Sequence, residues 1–288
     1  MNTISSLFKR ICATVLLCVC MTPALAHEYW LQAEDRQWVA GEQLRADIRN
    51  GENFVGSTLP FDPDALARAG LISDNSRLAL SGRLGDYPAF QMPLQETGLH
   101  LLLLETTQRE LRYDAYSDFE TFLNYHGLQG IAERHRSRGL PREDIVEHYY
   151  RYCKSFVDVQ PRQSGKVDTL GTARSERSAS ALAPQEQRLE LIALDNPMHG
   201  NTLQLQLHFE GAPLANRQVE LFYRDSESAA VSRTVRDTDT NGLVTFDTAA
   251  SGDYLFNSVN VVEPADPSAH WETLWASLSV VKRERSTQ

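Results

Sequence analysis

The chain has 288 residues and carries 38 acidic against 28 basic side chains, for a net charge of −10. That balance excludes the basic face a nucleic-acid binder needs and favours solubility, with a mild attraction for cations. The length is ample for two cores of ordinary size.

The first segment carries Lys9 and Arg10 and no acid, then an apolar run from Ile11 to Val19, a break at Pro23, and Ala24-Leu25-Ala26. A basic start, a short apolar core and small residues three and one before a cut predict a cleavable secretory signal over residues 1–26. The expectation is export to the periplasm and a mature chain that begins at His27. The run is well short of the ~20 residues that span a bilayer, so it does not read as an anchor. Cys18 and Cys20 raise lipoprotein processing, but Leu17 and Val19 ahead of them are bulkier than that cut tolerates. Cleavage removes two bases and no acid, which takes the net charge to −12. It also removes Cys12, Cys18 and Cys20, so Cys153 is left with no partner for an intramolecular disulfide. No apolar stretch after residue 26 is long enough for a transmembrane helix.

From Trp30 to about Arg112, short apolar runs alternate with turn clusters at Gly41-Glu42, Asn50-Gly51, Gly85-Asp86 and Thr97-Gly98, which predicts strands. Leu99 to Glu105 reads as a buried strand. The period changes at Ser117-Asp118-Phe119-Glu120, a capping-box pattern, and Tyr116, Phe119, Phe122 and Leu123 share a helical face that Gly127 closes. A second helix is predicted over Leu128 to Arg138, ended by Gly139. A third is predicted from Pro141 to Ser155, with Ile145, Tyr149 and Tyr152 on its buried face. Phe156 to Val159 returns as a strand. The reading for this half is a β-sandwich over 27–160 with a helical insertion at 117–155.

Residues 161–187 are rich in Ser, Ala, Gly, Arg and Gln and read as a linker or long loop. From residue 188 to 288 the strand signals are clearest. Leu203, Leu205, Leu207 and Phe209 alternate with Gln204, Gln206 and His208. Gly211-Ala212-Pro213 turns the chain, and Gln218 to Tyr223 follows as a strand. Asn241-Gly242 signals a hairpin. Strands at Leu243–Phe246, Tyr254–Val262 and Leu274–Val280 complete a second sandwich. The fold class is mainly β, with two β-sandwich units and a small helical insertion.

Chemistry points first to His27. Once the signal is cut, its α-amine and ring Nδ1 lie at chelating distance on one residue. One further imidazole or carboxylate would complete a site for Cu, Ni, Co or Zn. The spacing excludes a terminal clamp that needs His third, since Tyr29 is third. His270 and His199 are the expected partners, because both sit in turns or loops that could approach a terminus. His208 reads as a surface residue on the wet face of its strand, and His126, His135 and His148 lie at no ligand spacing. Asp237-Thr238-Asp239-Thr240-Asn241-Gly242 imitates a calcium loop, but its twelfth position is Thr248 and its flanks are strands, so it reads as a turn. Cys153 has no activating base and reads as a small core residue. There is no Gly-x-Ser-x-Gly, phosphate loop or dinucleotide fingerprint.

Several segments together resemble a known family. His27-Glu28-Tyr29-Trp30-Leu31 is similar to the His-acid-aromatic-Trp-Leu opening of exported bacterial proteins of domain-of-unknown-function family 4198. Phe119 to Leu123 with Gly127-Leu128, Arg151 to Val157, and Trp271 to Leu278 agree in order. Members of that family are described as periplasmic components associated with nickel or cobalt uptake. Where the resemblance implies Val-His in a late strand, this chain has Val259-Asn260, which would lose a ligand or shift its role to His270 or His199. The C-terminal part also looks like transthyretin-like or carboxypeptidase-regulatory sandwiches. The resemblance implies a non-catalytic periplasmic accessory that binds a transition-metal ion or chelate and serves a membrane transporter. Two other readings stand beside it: an interaction module that binds a protein or glycan partner, and a copper redox enzyme with a terminal-histidine site.

Overall fold

The computed structural model describes residues 28–34, 37–162, 179–226 and 228–283. Residues 1–27, which include the expected signal and His27, and the stretch 163–178 lie outside them. The described chain is mainly β, with 55% of residues in strands and 11% in helices.

The first half contributes β1 (Glu28–Ala33), β2 (Trp38–Val39), β3 (Gln43–Glu52), β4 (Val55–Leu59), β5 (Leu66–Ile72), β6 (Arg77–Ala79), β7 (Phe90–Pro93), β8 (Gly98–Thr106) and β9 (Arg109–Ala115). Helices α1 (Tyr116–Tyr125) and α2 (Gln129–Ser137) follow, then the long strand β10 (Glu143–Gln160). After a single-turn α3 (Ala179–Leu182) come β11 (Leu189–Ala193), β12 (Thr202–Phe209), β13 (Ala212–Pro213) and β14 (Gln218–Asp225). The chain continues through β15 (Val231–Asp237), β16 (Leu243–Asp247), β17 (Gly252–Val262) and β18 (Trp271–Lys282).

Three sheets form three layers. The central ten-stranded sheet runs β15-β14-β17-β18-β10-β8-β5-β6, with β2 and β9 also on β10. One outer sheet, β1-β3-β4 with β7, covers one face, where Leu31, Leu44, Ile48 and Phe90 meet Leu102, Leu104 and Cys153. The other, β11-β12-β13 with β16, covers the opposite face, where Leu191, Leu205 and Phe246 meet Leu101, Phe256 and Leu278. The two sandwiches thus share their central sheet. Its seam is the parallel pairing of β10 with β18, from Glu147 opposite Trp271 to Phe156 opposite Val280.

That seam corrects the expected third helix, because residues 143–160 are one strand. A strand covered on both faces carries large residues at every position, so Ile145, Tyr149 and Tyr152 match a helical spacing by coincidence. In the strand, Tyr152 and Phe156 join one core, while Cys153 and Val157 join the other. The helical insertion is therefore α1 and α2 alone. Their face of Tyr116, Phe119, Phe122, Leu123 and Ile131 packs on Trp271, Trp275, Val259 and Val261 of the central sheet. The capping box does not form. α1 starts two residues earlier than that box implies, at Tyr116, and its N-cap Ala115 makes no side-chain bond.

Two further expectations change. Within the predicted linker, residues 179–187 are ordered: Gln185 and Gln187 are buried, and Gln185 takes Arg68 Nη2 on its carbonyl at 2.6 Å and Arg77 Nη1 on its side chain at 2.9 Å. Asn241-Gly242 turns the chain as expected, with Gly242 at φ +72°, but it is not a hairpin. It carries the chain from β15 in the central sheet to β16 in an outer sheet. Asp239 Oδ1 holds this turn by accepting from the Asn241 and Leu243 amides at 2.8 and 2.9 Å.

Candidate functional site

A charged group inside a strand covered on both faces needs partners, since burying an unpaired charge is costly. Glu220 is such a group. On β14, Val219 and Leu221 face one core, and Phe222 on the other face packs with Trp30, Phe54 and Leu255. Glu220 shares the Phe222 face and is 1% exposed. Its Oε1 accepts from His126 Nδ1 at 2.9 Å, Gln218 Nε2 at 2.8 Å and Arg233 Nη2 at 3.0 Å. Its Oε2 accepts from Asn257 Nδ2 at 3.3 Å. Burial pushes the carboxyl up, but the His126 hydrogen bond and charge, with Arg233, outweigh it and hold Glu220 below the ordinary carboxylate range.

α1 delivers His126. Phe119, Phe122 and Leu123 fix the helix against the sheet, and His126 is its C-cap. Gly127 follows at φ +65°, a left-handed conformation that favours glycine, and it lets Gln218 Oε1 approach to within 2.7 Å of where a Cβ would stand. The imidazole is 4% exposed and lies among the rings of Tyr125, Trp275 and Phe122 at 4.9, 5.0 and 5.2 Å. Arg233 closes the side of the cluster, stacked 4.0 Å over Tyr125. An ionised carboxylate only accepts, so Nδ1 carries the hydrogen. In the state where the ring carries only that hydrogen, Nε2 keeps its lone pair; with a second hydrogen the ring instead forms an ion pair with Glu220.

β1 brings Glu28 to the same cluster. Its carbonyls are pinned across the central sheet: Tyr29 O accepts from Ser277 Oγ at 2.7 Å, and Leu31 O from Ser279 Oγ at 2.5 Å. Two residues along β1 thus match two along β18. Glu28 is 3% exposed, and its carboxyl accepts from the Asn53 amide at 3.2 Å and from its own amide. Burial, then the charge of Glu220, pushes its carboxyl up to about 8.

Of the residues the sequence singled out, position 27 lies outside the described residues. His270 immediately precedes β18. Its Nδ1 accepts the Val146 amide at 2.8 Å and its own amide donates to Val146 O at 2.8 Å. An Nδ1 that accepts forces the hydrogen onto Nε2, so this ring has no free lone pair for an ion. Burial, with His135 and Arg138 nearby, lowers its pKa. His199 lies in the β11–β12 loop beside Gly200, whose carbonyl accepts from Lys282 Nζ at the far end of β18. Twelve strand residues separate His270 from that point, roughly 40 Å at ~3.3 Å per residue. The fold therefore does not bring His199 and His270 to one ion. Asn260 alternates with Val259 and Val261, which pack against α1 and α2, and so faces away from His126.

His135 is satisfied on both nitrogens, taking Trp271 Nε1 at 3.0 Å and giving to Pro141 O at 2.8 Å. His148 is buried on β10 and bonds to Gln108 at 3.1 Å. His208 is half-buried, and its Nε2 meets no partner among the described residues. Cys153 is fully covered, and burial raises its thiol to about 12. Among the described residues no three His, Cys, Asp or Glu side chains converge to hold an ion, and no helix is long and apolar enough to cross a membrane.

The model of the domain of unknown function DUF4198 matches residues 24–261. The chain belongs to the DUF4198 family. No curated protein matches it. The part of this DUF4198 chain covered by the match contains Glu28, His126 and Glu220, while Trp275 and His270 lie beyond it on β18 and its approach.

Sequence reasoning missed the His126–Glu220–Glu28 cluster. The available signal was the pattern of the acids rather than of the histidines. Glu220 interrupts Gln218-Val219-Glu220-Leu221-Phe222, and Glu28 stands directly before the apolar run Tyr29-Trp30-Leu31.

Proposed function

We propose that this protein is a periplasmic accessory that binds a divalent transition metal of the nickel, cobalt or copper class, as an ion or chelate, in uptake or homeostasis, and catalyses no reaction. The observation that carries the reading is the buried His126–Glu220 pair beside Glu28, the residue to which position 27 is bonded. An imidazole that gives one N–H to a carboxylate and keeps the other nitrogen free is the arrangement that orients metal-ligating histidines. The donor chemistry fits borderline metals: Nε2 of His126, with the α-amine and ring of His27 supplied by the mature terminus. Glu28 adds a carboxylate that a cation would help to ionise. His126 replaces His199 and His270 as the expected partner of the terminus. A bound metal would supply charge neutralisation between Glu28 and Glu220, and Arg233 supplies part of it in the protein alone.

The test is isothermal titration of protein beginning at His27 with nickel, cobalt, copper and zinc, beside His126→Ala and His199→Ala. The expected result is a ~10–100-fold loss with His126→Ala and no change with His199→Ala. Unchanged affinity in His126→Ala removes this site. Absence of binding by the unmodified protein favours the second reading, a non-catalytic β-sandwich module displaying loops to a partner, which the loop-lined end of the second sandwich supports.

A further inference from the structure

The sandwich formed by the central sheet and the β11-β12-β13 sheet opens at one end into a cleft of about 1210 Å³. Loops of both sheets line it, together with the ends of β14 and β18. This is far from the His126 cluster: Lys282 at its wall is seven residues along β18 from Trp275, roughly 23 Å at ~3.3 Å per residue.

The walls are held in place. Lys282 Nζ donates to Gly200 O at 2.7 Å and Thr248 O at 2.6 Å, which ties the β11–β12 loop to the β16–β17 loop. Tyr223 Oη donates to Ser251 O at 2.8 Å, and Asn196 Oδ1 accepts the Met198 amide at 2.9 Å. A ligand entering such a cleft does not bear the cost of ordering the loops.

The lining selects among ligands. Asp195 and Asp225 stand beside Lys282 and Arg283 in the lining, and Arg283 also pairs with Asp253 at 2.9 Å, so no single sign of charge dominates the walls. Apart from Met198, Tyr223 and two alanines the walls are polar, and no apolar anchor site is present among the described residues. Strands end at the cleft rather than run along it, since β12 begins at Thr202, β14 ends at Asp225 and β18 ends at Lys282. An extended peptide therefore finds no edge to pair with. Tyr223, packed against Tyr254 at 4.9 Å, lines the cleft among hydrogen-bonding groups and, among the described residues, is its one aromatic ring besides His199. The volume exceeds the ~300–1,000 Å³ of ordinary small-molecule sites, which leaves room for more than one ring.

We propose that this cleft binds a short, neutral, hydroxyl-rich oligosaccharide. The test uses the full mature protein with maltotriose, cellotriose and triacetylchitotriose as probes, read by saturation-transfer NMR and titration calorimetry. Asn201→Trp and Ser226→Trp place an indole into the cleft from exposed rim positions. The expected result is saturable binding of at least one trisaccharide, weakened at least tenfold in both variants, with thermal midpoints unchanged. No saturable response to any of the three, or a response that both variants leave intact, overturns the proposal. So does binding of a Ser/Gly/Asn-rich heptapeptide in place of the sugars.

Discussion

Glu220→Gln isolates the charge at the centre of the His126 cluster. The substitution keeps length and shape, and its carbonyl oxygen can stand where Oε1 now accepts from His126, Gln218 and Arg233. Those three bonds then change from charge-assisted to neutral or half-charged, a loss of about 1 kcal/mol each. The new NH₂ faces the Asn257 amide donor, which adds ~1–3 kcal/mol for an unsatisfied buried donor. Relief from burying a carboxylate offsets part of the sum, leaving a cost of about 2–4 kcal/mol. Glu220 is 1% exposed, so solvent does not screen it. At ~2–4 °C per kcal/mol for a chain of this size, the thermal midpoint at pH 7 should fall by roughly 5–15 °C, measured by calorimetry or circular dichroism. Because the folded carboxyl titrates below its ordinary value, this advantage of the native residue exists above the unfolded pKa. It fades as pH falls through the folded one. The gap in stability between the two proteins should therefore narrow as pH falls below the ordinary carboxylate range. A cost below ~0.5 kcal/mol at pH 7, or a gap that does not narrow on acidification, would refute the reasoning.

Other expectations rest on separate buried groups. Burial raises Glu147, which is fully covered beneath α1 and α2, to about 7, so its folded state holds a proton the unfolded chain has released. Stability should decline as pH rises from about 4.5 to 7, by up to ~3 kcal/mol, and Glu147→Gln should flatten that slope in urea titrations. Lys154 Nζ meets Glu190 Oε1 at 2.5 Å, with both side chains 3% exposed. Lys154→Met should cost ~3–5 kcal/mol by stranding the carboxylate, and adding Glu190→Leu should recover most of it; a double variant no better than the single would contradict the pairing. Cys153, raised to about 12 by burial, should resist iodoacetamide in native buffer and react in urea, as read by intact mass.

Local signals carried the fold where one face of an element meets water. The alternation from Leu203 to Phe209 gave β12, and Gly127 and Gly139 marked helix ends that the structure places at φ +65° and +66°. They failed at β10. Both of its faces are covered, so Ile145, Tyr149 and Tyr152 carry no periodicity that separates strand from helix, and its partners Leu111 and Trp271 lie on either side of it in the chain. The candidate site was illegible for a similar reason. His126 ends a helix, Glu220 lies 94 residues on, and Glu28 opens the first strand, so only the three-layer packing assembles them. Histidines in turns, such as His199 and His270, looked more available than a histidine at the end of an apolar helix. The structure reverses that ranking for His270, whose Nδ1 is taken by the Val146 amide.

The most direct measurement compares nickel and copper affinity, by isothermal titration at pH 8, between protein beginning at His27 and protein with one alanine added ahead of it. The added residue turns the α-amine into an amide and leaves every described side chain unchanged. Binding by the His27 form and an at least ~10-fold loss, about 1.4 kcal/mol, in the extended form is the predicted result. Equal affinities would contradict the account, because the terminus would then supply no ligand.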